Sequence, residues 1–464
     1  FYGYQVNRNF DLPGNLTLEE YQDAPRQSIP FAIENNTRLT SESANLGASY
    51  QYDLLDNLTS TTALYVSNSA TPEHPTGTNP FSGEFFKGNT SGIGGRITTA
   101  YTRSLGMVET VFTAGAEFQK DRGYSISFGL DEGELVADDL RESIELVTTQ
   151  QIYFAQMELD LPYDFIITGG GSLNYLDYAV EDMLHTGTSS QSGLLKTEPT
   201  IAPRFSLVKK LDNDFSIHGS IGRGFSPPGR HEINANGRIN SNLLPEDGVN
   251  YEIGLRGDAL NRLNIDVTAY TMQLNNVIIQ RRLESGLSRF ENGGSASQKG
   301  IEAMAGYSLF NSPNSVFTMG SLWINYTYND YTFKNYQLQD DETGDIHDFS
   351  GNQIPGISPH VLSTGFDIDT HSGFYGNVNF YFFDDRYITN ANDVADEGYT
   401  LLNTKLGYRL KFANNFIFDL HTGIKNIQNT PYVGTLGVNG FGGRYYNLGT
   451  PRSFYGGVNL KYQF

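Results

Sequence analysis

The side chains in this sequence best suited to chemistry are guanidinium groups set beside aromatic rings. Arg281, Arg282 and Arg289, then Arg386, then Arg444 next to Tyr445, fall in or beside stretches rich in Gly, Asn, Asp and Ser. A guanidinium fork matches an anion at two points at once, and a flat ring beside it adds contact area. Such groups suit an anionic ligand. Two plainer uses stand beside that one: pairing with the many acids of the same stretches, or meeting charged lipid at a membrane rim. A further cluster is Gly222-Arg223-Gly224-Phe225-Ser226-Pro227-Pro228-Gly229-Arg230-His231-Glu232-Ile233. Its prolines stop a strand, and Arg230 and His231 follow at once. His231 has the chemistry of a metal or haem ligand, but the expected reading is a solvated loop histidine beside Glu232. The run Asp340-Asp341-Glu342-Thr343-Gly344-Asp345-Ile346-His347-Asp348 offers oxygens to Ca2+ without the spacing of an EF-hand loop. It reads as a solvated acidic loop, as do Asp131-Glu132-Gly133-Glu134 and Asp138-Asp139. No Ser-His-Asp spacing, phosphate loop or carboxylate pair points to catalysis. The expectation is a binding protein and not an enzyme, with no cofactor and no metal site.

The elements that must position these residues are strands. At the chain end, Phe454, Gly456, Val458, Leu460, Tyr462 and Phe464 alternate with Ser453, Tyr455, Gly457, Asn459, Lys461 and Gln463. A period of two marks a strand with two unlike faces. Leu402, Leu406 and Leu410 alternate with Asn403, Lys405, Arg409 and Lys411 in the same way, and Phe416, Phe418 and Leu420 with Asp419 and His421. The apolar set is expected to face lipid and the polar set a lumen. Short turns are expected at Asp56-Asn57, Leu105-Gly106, Pro162-Tyr163, Asn213-Asp214, Leu260-Asn261, Ser312-Pro313, His371-Ser372 and Asn414-Asn415. Between them lie longer segments near 70–91, 122–147, 183–199, 226–249, 283–296, 331–357, 388–398 and 428–451. Thr17 and Glu20 have the spacing of a capping box, so a short helix is expected there.

Short turns at one end and long loops at the other are the asymmetry of a transmembrane antiparallel β-barrel, here with about 18 strands. Composition agrees. The 464 residues include 50 Gly, 29 Tyr and 30 Phe and no Cys, and carry a net charge of −21. That charge excludes nucleic acid as a natural partner. No apolar run of about 18 residues exists to make a membrane-spanning helix, and a barrel needs none.

Several stretches together resemble the TonB-dependent receptors, in particular their ferric-siderophore branch. Gly224-Phe225-Ser226-Pro227-Pro228 resembles the family's Gly-aromatic-Pro strand end. Leu244-Pro245-Glu246 with Tyr251-Glu252-Ile253-Gly254-Leu255-Arg256, Asn292-Gly293-Gly294 with Lys299-Gly300-Ile301-Glu302, and Gly351-Asn352-Gln353-Ile354-Pro355-Gly356-Ile357-Ser358-Pro359-His360 resemble its strand starts. Leu401-Leu402-Asn403, Lys425-Asn426-Ile427-Gln428-Asn429-Thr430-Pro431-Tyr432 and Pro451 through Phe464 resemble its last three strands. Pro13-Gly14 through Arg26 looks like a loop of ferric-citrate-type members.

The resemblance implies a bacterial outer-membrane receptor for active uptake of a ferric siderophore or a similar scarce ligand. It implies the TonB complex as partner through an N-terminal plug, with outer-membrane lipid and lipopolysaccharide around a monomeric barrel, alone or within a larger membrane complex. Members have a plug and a 22-stranded barrel. Residues 1–464 are therefore expected to be the C-terminal part of a longer receptor, without plug and first strands. Arg230, His231, Arg281, Arg282, Arg386, Arg444 and Tyr445 are expected to face the exterior and form the ligand mouth. The alternatives are a passive porin-like channel and a barrel that serves assembly or adhesion.

Overall fold

Strands in this chain begin and end where its alternation does. The computed structural model describes residues 1–77, 83–211, 214–235, 238–240, 242–282, 288–339, 344–412 and 415–462. Strands β1 (Tyr2–Asp11), β2 (Arg38–Leu55), β3 (Leu58–Thr76), β4 (Glu84–Leu105), β5 (Val108–Asp131), β6 (Glu134–Leu161) and β7 (Phe165–Asp182) come first. Then follow Thr200–Lys210, Phe215–Ser226, Glu246–Ala259, Leu263–Asn275, Ser295–Asn311, Phe317–Asn335, His360–Thr370, Phe374–Phe383, Tyr399–Phe412, Phe416–Lys425 and Ser453–Tyr462. Each pairs antiparallel with the next in sequence. With the short piece Gly193–Lys196 beside β7 they form a 19-stranded sheet. Setting that piece aside leaves the eighteen wall strands expected from sequence.

The turns fall at the expected places. Leu260 and Asn261 both take positive φ, 56° and 55°, the signature of a type I′ turn whose twist matches that of the flanking strands. Asn213 and Asn414 lie outside the described residues, but the ladder closes on both sides of each, Lys210 with Ser216 and Phe412 with Phe416. At the other end, the expected loops 70–91 and 122–147 are shorter than the sequence suggested, since β3 runs to Thr76 and β4 starts at Glu84. Segment 122–147 is paired strand almost throughout. β5 runs 24 residues and β6 runs 28, and at about 3.3 Å per residue the longer spans roughly 90 Å. The hydrocarbon layer is about 30 Å thick, so this hairpin stands far out as an arm. Its tip is Glu132-Gly133, both at positive φ. The alternation of Tyr124, Ile126 and Phe128 with Ser125 and Ser127 continues to that tip, which is why the ladder does too.

Register sorts the two faces. Leu410, Phe418 and Leu460 are partners across three strands, as are Tyr408, Leu420 and Val458. Leu406, Val458 and Leu460 are more than 60% exposed, the state of side chains whose solvent is lipid. Toward the short turns this face carries aromatic rings: Phe374 lies 4.8 Å from Tyr408, and Phe416 lies 5.3 Å from Phe412 and 4.9 Å from Tyr462. Aromatic residues gather at such an interface. The opposite face is polar. Tyr375 donates its hydroxyl to Asp419 at 2.9 Å, and Arg409 and His421 approach the same carboxylate. Among the described residues β1 pairs only with β2, and the last strand only with Phe416–Lys425. All ten residues of β1 are exposed.

The buried apolar clusters sit chiefly at the loop end. The largest joins Leu16, Ile29 and Ala32 to Ile388, Val433 and Tyr446. A second joins Ile144, Leu146, Leu176, Tyr178 and Val180 to Ile233. These two hold the mouth.

Candidate ligand mouth

The first cluster is built by the segment between β1 and β2. Helix α1 (Leu18–Asp23) starts at Thr17, whose hydroxyl accepts from the Glu20 amide at 3.3 Å while the Thr17 amide donates to the Glu20 carboxylate at 2.9 Å. This is the capping box expected from the spacing. Helix α2 (Pro30–Glu34) begins with proline, which fits a first helical turn. The segment reaches both ways. Asn35 accepts from the Gly133 amide at the arm tip at 3.1 Å. On the other side Leu16 bridges to Tyr446, and Tyr21 stacks on Tyr446 with ring centres 5.3 Å apart. Burial pushes the Tyr21 phenol up to about 12.

Two of the sequence-nominated arginines lock this unit. Arg444 donates to both carboxylate oxygens of Glu20, at 2.7 and 3.0 Å, and to the Asn15 carbonyl at 3.2 Å. The Arg444 hydrogen bond, followed by that from the Thr17 amide, holds the Glu20 carboxyl below its ordinary range. Arg386 donates to Asp396 at 3.0 Å and to the Val433 carbonyl at 3.1 Å. Burial nonetheless raises the Asp396 carboxyl, because desolvation outweighs its partner. Tyr445 packs against the same cluster, edge to face with Tyr446, and burial raises its phenol too. Arg386, Arg444 and Tyr445 thus share one latch, held by loop acids.

Arg230 has a different setting. The two prolines end the strand Phe215–Ser226, and helix α3 (Arg230–Ile233) turns inward over the wall. Tyr178 donates its hydroxyl to the Pro228 carbonyl at 2.5 Å, and Ile233 is 0% exposed within the second cluster. That anchor, on β6 and β7, sets Arg230 against the neighbouring strands β5 and β4. A Cβ added at Gly123 would lie 2.3 Å from one Arg230 terminal nitrogen and 2.7 Å from Thr90, so glycine at that position makes room for the guanidinium. The other terminal nitrogen, Nη1, is buried without a hydrogen-bond partner among the described residues. Burial draws the Arg230 pKa below its ordinary value, and nearby Asp121 opposes the shift. His231 is exposed beside it, its ring 5.4 Å from that of Phe290.

The remaining nominees are partly placed. Arg281 pairs through its backbone with Arg289, and Arg282 with Ser288, in a hairpin above the wall. The side chains of Arg281 and Arg282, and residues 340–343 of the acidic run, lie outside the described residues. Asp348, at the end of that run, accepts from Gln337 and from the Ser350 amide. Among the described residues no group of three His, Asp or Glu is placed to hold a metal ion. The residues missed from sequence are the partners: Glu20 and Asp396, which hold the latch arginines, and Gly123, which admits Arg230. Only Glu20 carried a local signal, its place in the capping box.

Comparison with known proteins agrees with the barrel wall. The family model "TonB dependent receptor-like, beta-barrel" matches residues 1–427. The unliganded ferric citrate transporter FecA superposes with a TM-score of 0.78 at 15% identity, covering 98% of this chain and 66% of that one. The siderophore receptor PiuA from Acinetobacter baumannii gives 0.73 at 14% identity, covering 92% and 65%. The ferric-catecholate import receptor Fiu from E. coli K12 gives 0.69 at 15%, covering 99% and 71%. The chain thus spans just under two thirds of the first two proteins, and at these identities the likeness concerns the fold.

Proposed function

Because the chain belongs to the TonB-dependent receptor β-barrel family of the Gram-negative outer membrane, a receptor and transporter family and not an enzyme family, we propose that it serves the active uptake of an anionic ferric chelate. The observation that carries this reading is the half-buried Arg230, whose Nη1 has no hydrogen-bond partner among the described residues. A buried donor without an acceptor is costly, and Asp121 nearby offsets only part of the charge. A carboxylate- or catecholate-bearing chelate would supply the missing acceptor through charge-assisted hydrogen bonds, which are roughly twice as strong as neutral ones. In this reading Arg230 and exposed His231 contact the ligand, with Arg281 and Arg282 beside them. Arg386, Arg444 and Tyr445 act through the latch by holding the loops around it. The named ligands of the similar structures, ferric citrate and ferric catecholate, are of this charge class.

Uptake in this reading follows the family's scheme. Ligand binds from outside between the loops and a plug seated in the barrel, and the TonB complex then pulls on the plug. The polar wall around Asp419 suits a water-lined passage. The test is uptake of radiolabelled iron by cells carrying the receptor, offered as ferric citrate or as a ferric catecholate. The expected result is uptake that needs TonB and falls at least about tenfold with Arg230→Gln. Uptake independent of TonB, together with free passage of sugars into liposomes, would make the protein a porin instead.

A further inference from the structure

The direction of Arg230 is set from the far side of its helix. On the inward face of the wall, Asp121, Thr148 and Tyr178 are partners in a row across β5, β6 and β7. Gly123, against which the Arg230 guanidinium lies, stands two residues along β5 from Asp121. β5 and β7 are two strand spacings apart, about 10 Å. Arg230 is the first residue of α3, and α3 leaves from the corner Pro227-Pro228-Gly229. The Pro228 carbonyl accepts the Tyr178 hydroxyl at 2.5 Å. The corner is therefore pinned over β7, and the Arg230 side chain spans from there back to β5. A shift of that start along the wall would carry the guanidinium off the gap that Gly123 leaves.

The other contacts of α3 do not fix that start. The helix has four residues, too few to hold its own shape in water. The Gly229 amide donates to the Glu232 carboxylate at 2.6 Å, which closes the turn on itself and ties it to nothing outside. Ile233 is buried at the other end, and apolar burial has no preferred direction. The hydrogen bond from Tyr178 does have one. Tyr178 is 2% exposed, and its ring is packed among Ile144, Leu146, Leu176 and Val180, so its hydroxyl has a fixed place. We propose that Tyr178 is the positioning residue of the mouth: it fixes the Pro228 carbonyl, and through it the direction in which Arg230 meets the ligand. The second half of that statement rests on the reading of Arg230 as a ligand contact. The first half concerns the receptor alone.

The experiment uses Tyr178→Phe, which keeps the ring and its packing and deletes one oxygen. Heat-dependent migration of the barrel on gels is expected to stay the same. The first measurement needs no ligand: phenylglyoxal labelling of arginines in the detergent-purified receptor, read by peptide mass spectrometry. Arg230 is expected to react about fivefold faster in the variant, the scale of one lost hydrogen bond, while Arg386 and Arg444 keep their rates. The second measurement is the affinity for ferric citrate and for a ferric catecholate, each in turn, in Tyr178→Phe, Arg230→Gln and the double variant. Tyr178→Phe alone should weaken binding by about fivefold, and it should add nothing once Arg230 is glutamine, because the two residues act as a unit. An Arg230 labelling rate that Tyr178→Phe leaves unchanged overturns the positioning role. So does a loss of binding that persists in full in the Arg230→Gln background, since that is the mark of a merely structural tyrosine. Faster labelling of Arg230 with binding unaltered in all three variants supports the placement by Tyr178 and overturns Arg230 as the ligand contact.

Discussion

Arg386 and Arg230 are the same residue type on the same side of the membrane, and they have opposite surroundings. Arg386 is buried with Asp396, at 15% and 7% side-chain exposure, and also caps a carbonyl. Arg230 lies over a glycine, and one of its terminal nitrogens has no acceptor among the described residues. Arg444 is more exposed than Arg386, at 33% against 31% for Glu20, yet its bond is two-pronged. The difference teaches how to tell holding from binding in a mouth rich in charge. A cation whose acceptors come from its own chain stabilises the loops. One whose acceptor is missing is the residue proposed to meet the ligand.

The largest expected effect tests the holding side. Arg386→Ala leaves Asp396 buried without its partner, a change that costs about 3–5 kcal/mol in comparable pairs. Limited proteolysis should then cut within 384–398 and 426–452 while the barrel keeps its heat-dependent gel migration. A third setting for arginine, the lipid face, sharpens the contrast. Leu406→Arg places a charge where no acceptor exists from protein or ligand, and should cost about 2–4 kcal/mol near the midplane. Assembly into membranes should fall, whereas Lys405→Leu on the lumen face should be tolerated. Equal losses would mean that the two faces are assigned the wrong way round.

Next comes the binding side. Arg230→Gln should weaken chelate binding by more than about 1.4 kcal/mol, tenfold or more, with loop proteolysis unchanged. Loop cleavage with intact binding would place Arg230 with the latch arginines and dissolve the comparison. Arg444→Gln should be milder, about 1 kcal/mol or less for a half-exposed pair, seen as faster cleavage after α1.

The smallest effect is in pH. The Glu20 carboxyl titrates below its ordinary value of 4.5. Its pair with Arg444 therefore contributes fully above about 4.5 and is lost as pH falls through the lowered folded value. Asp396 has the reverse shift, so acid relieves a desolvated charge there. A fluorophore on a cysteine at position 19 should report release of α1 on acidification before the 386–396 hairpin opens. Simultaneous release would show that the two locks act as one.

The wall was legible because every pairing in it joins neighbours in sequence. Alternation fixed each strand's faces, and turns such as Leu260-Asn261 marked where the chain reverses. The arm formed by β5 and β6 was missed as strand because Gly, Asp and Ser there resemble loop composition, although the alternation beneath them persisted. The mouth was much less legible. Glu20 and Arg444 are 424 residues apart, and no local pattern announces a partner at that distance. The capping box could be read from Thr17 and Glu20, but not the second use of the same carboxylate. Arg386 and Arg444 stood out for their aromatic neighbours, and what decided their surroundings was acids brought in by tertiary folding.

That separation also has a consequence in time. Hairpins along the wall close loops of a few residues, which is fast and entropically cheap. The bond between Glu20 and Arg444 closes almost the whole chain, and it needs the loop between the last two strands already in place. The latch therefore sets only after the final hairpin is laid down. Resistance of the mouth to protease is then a clock, reading the last event of assembly and dating the moment at which a newly inserted barrel becomes ready for ligand.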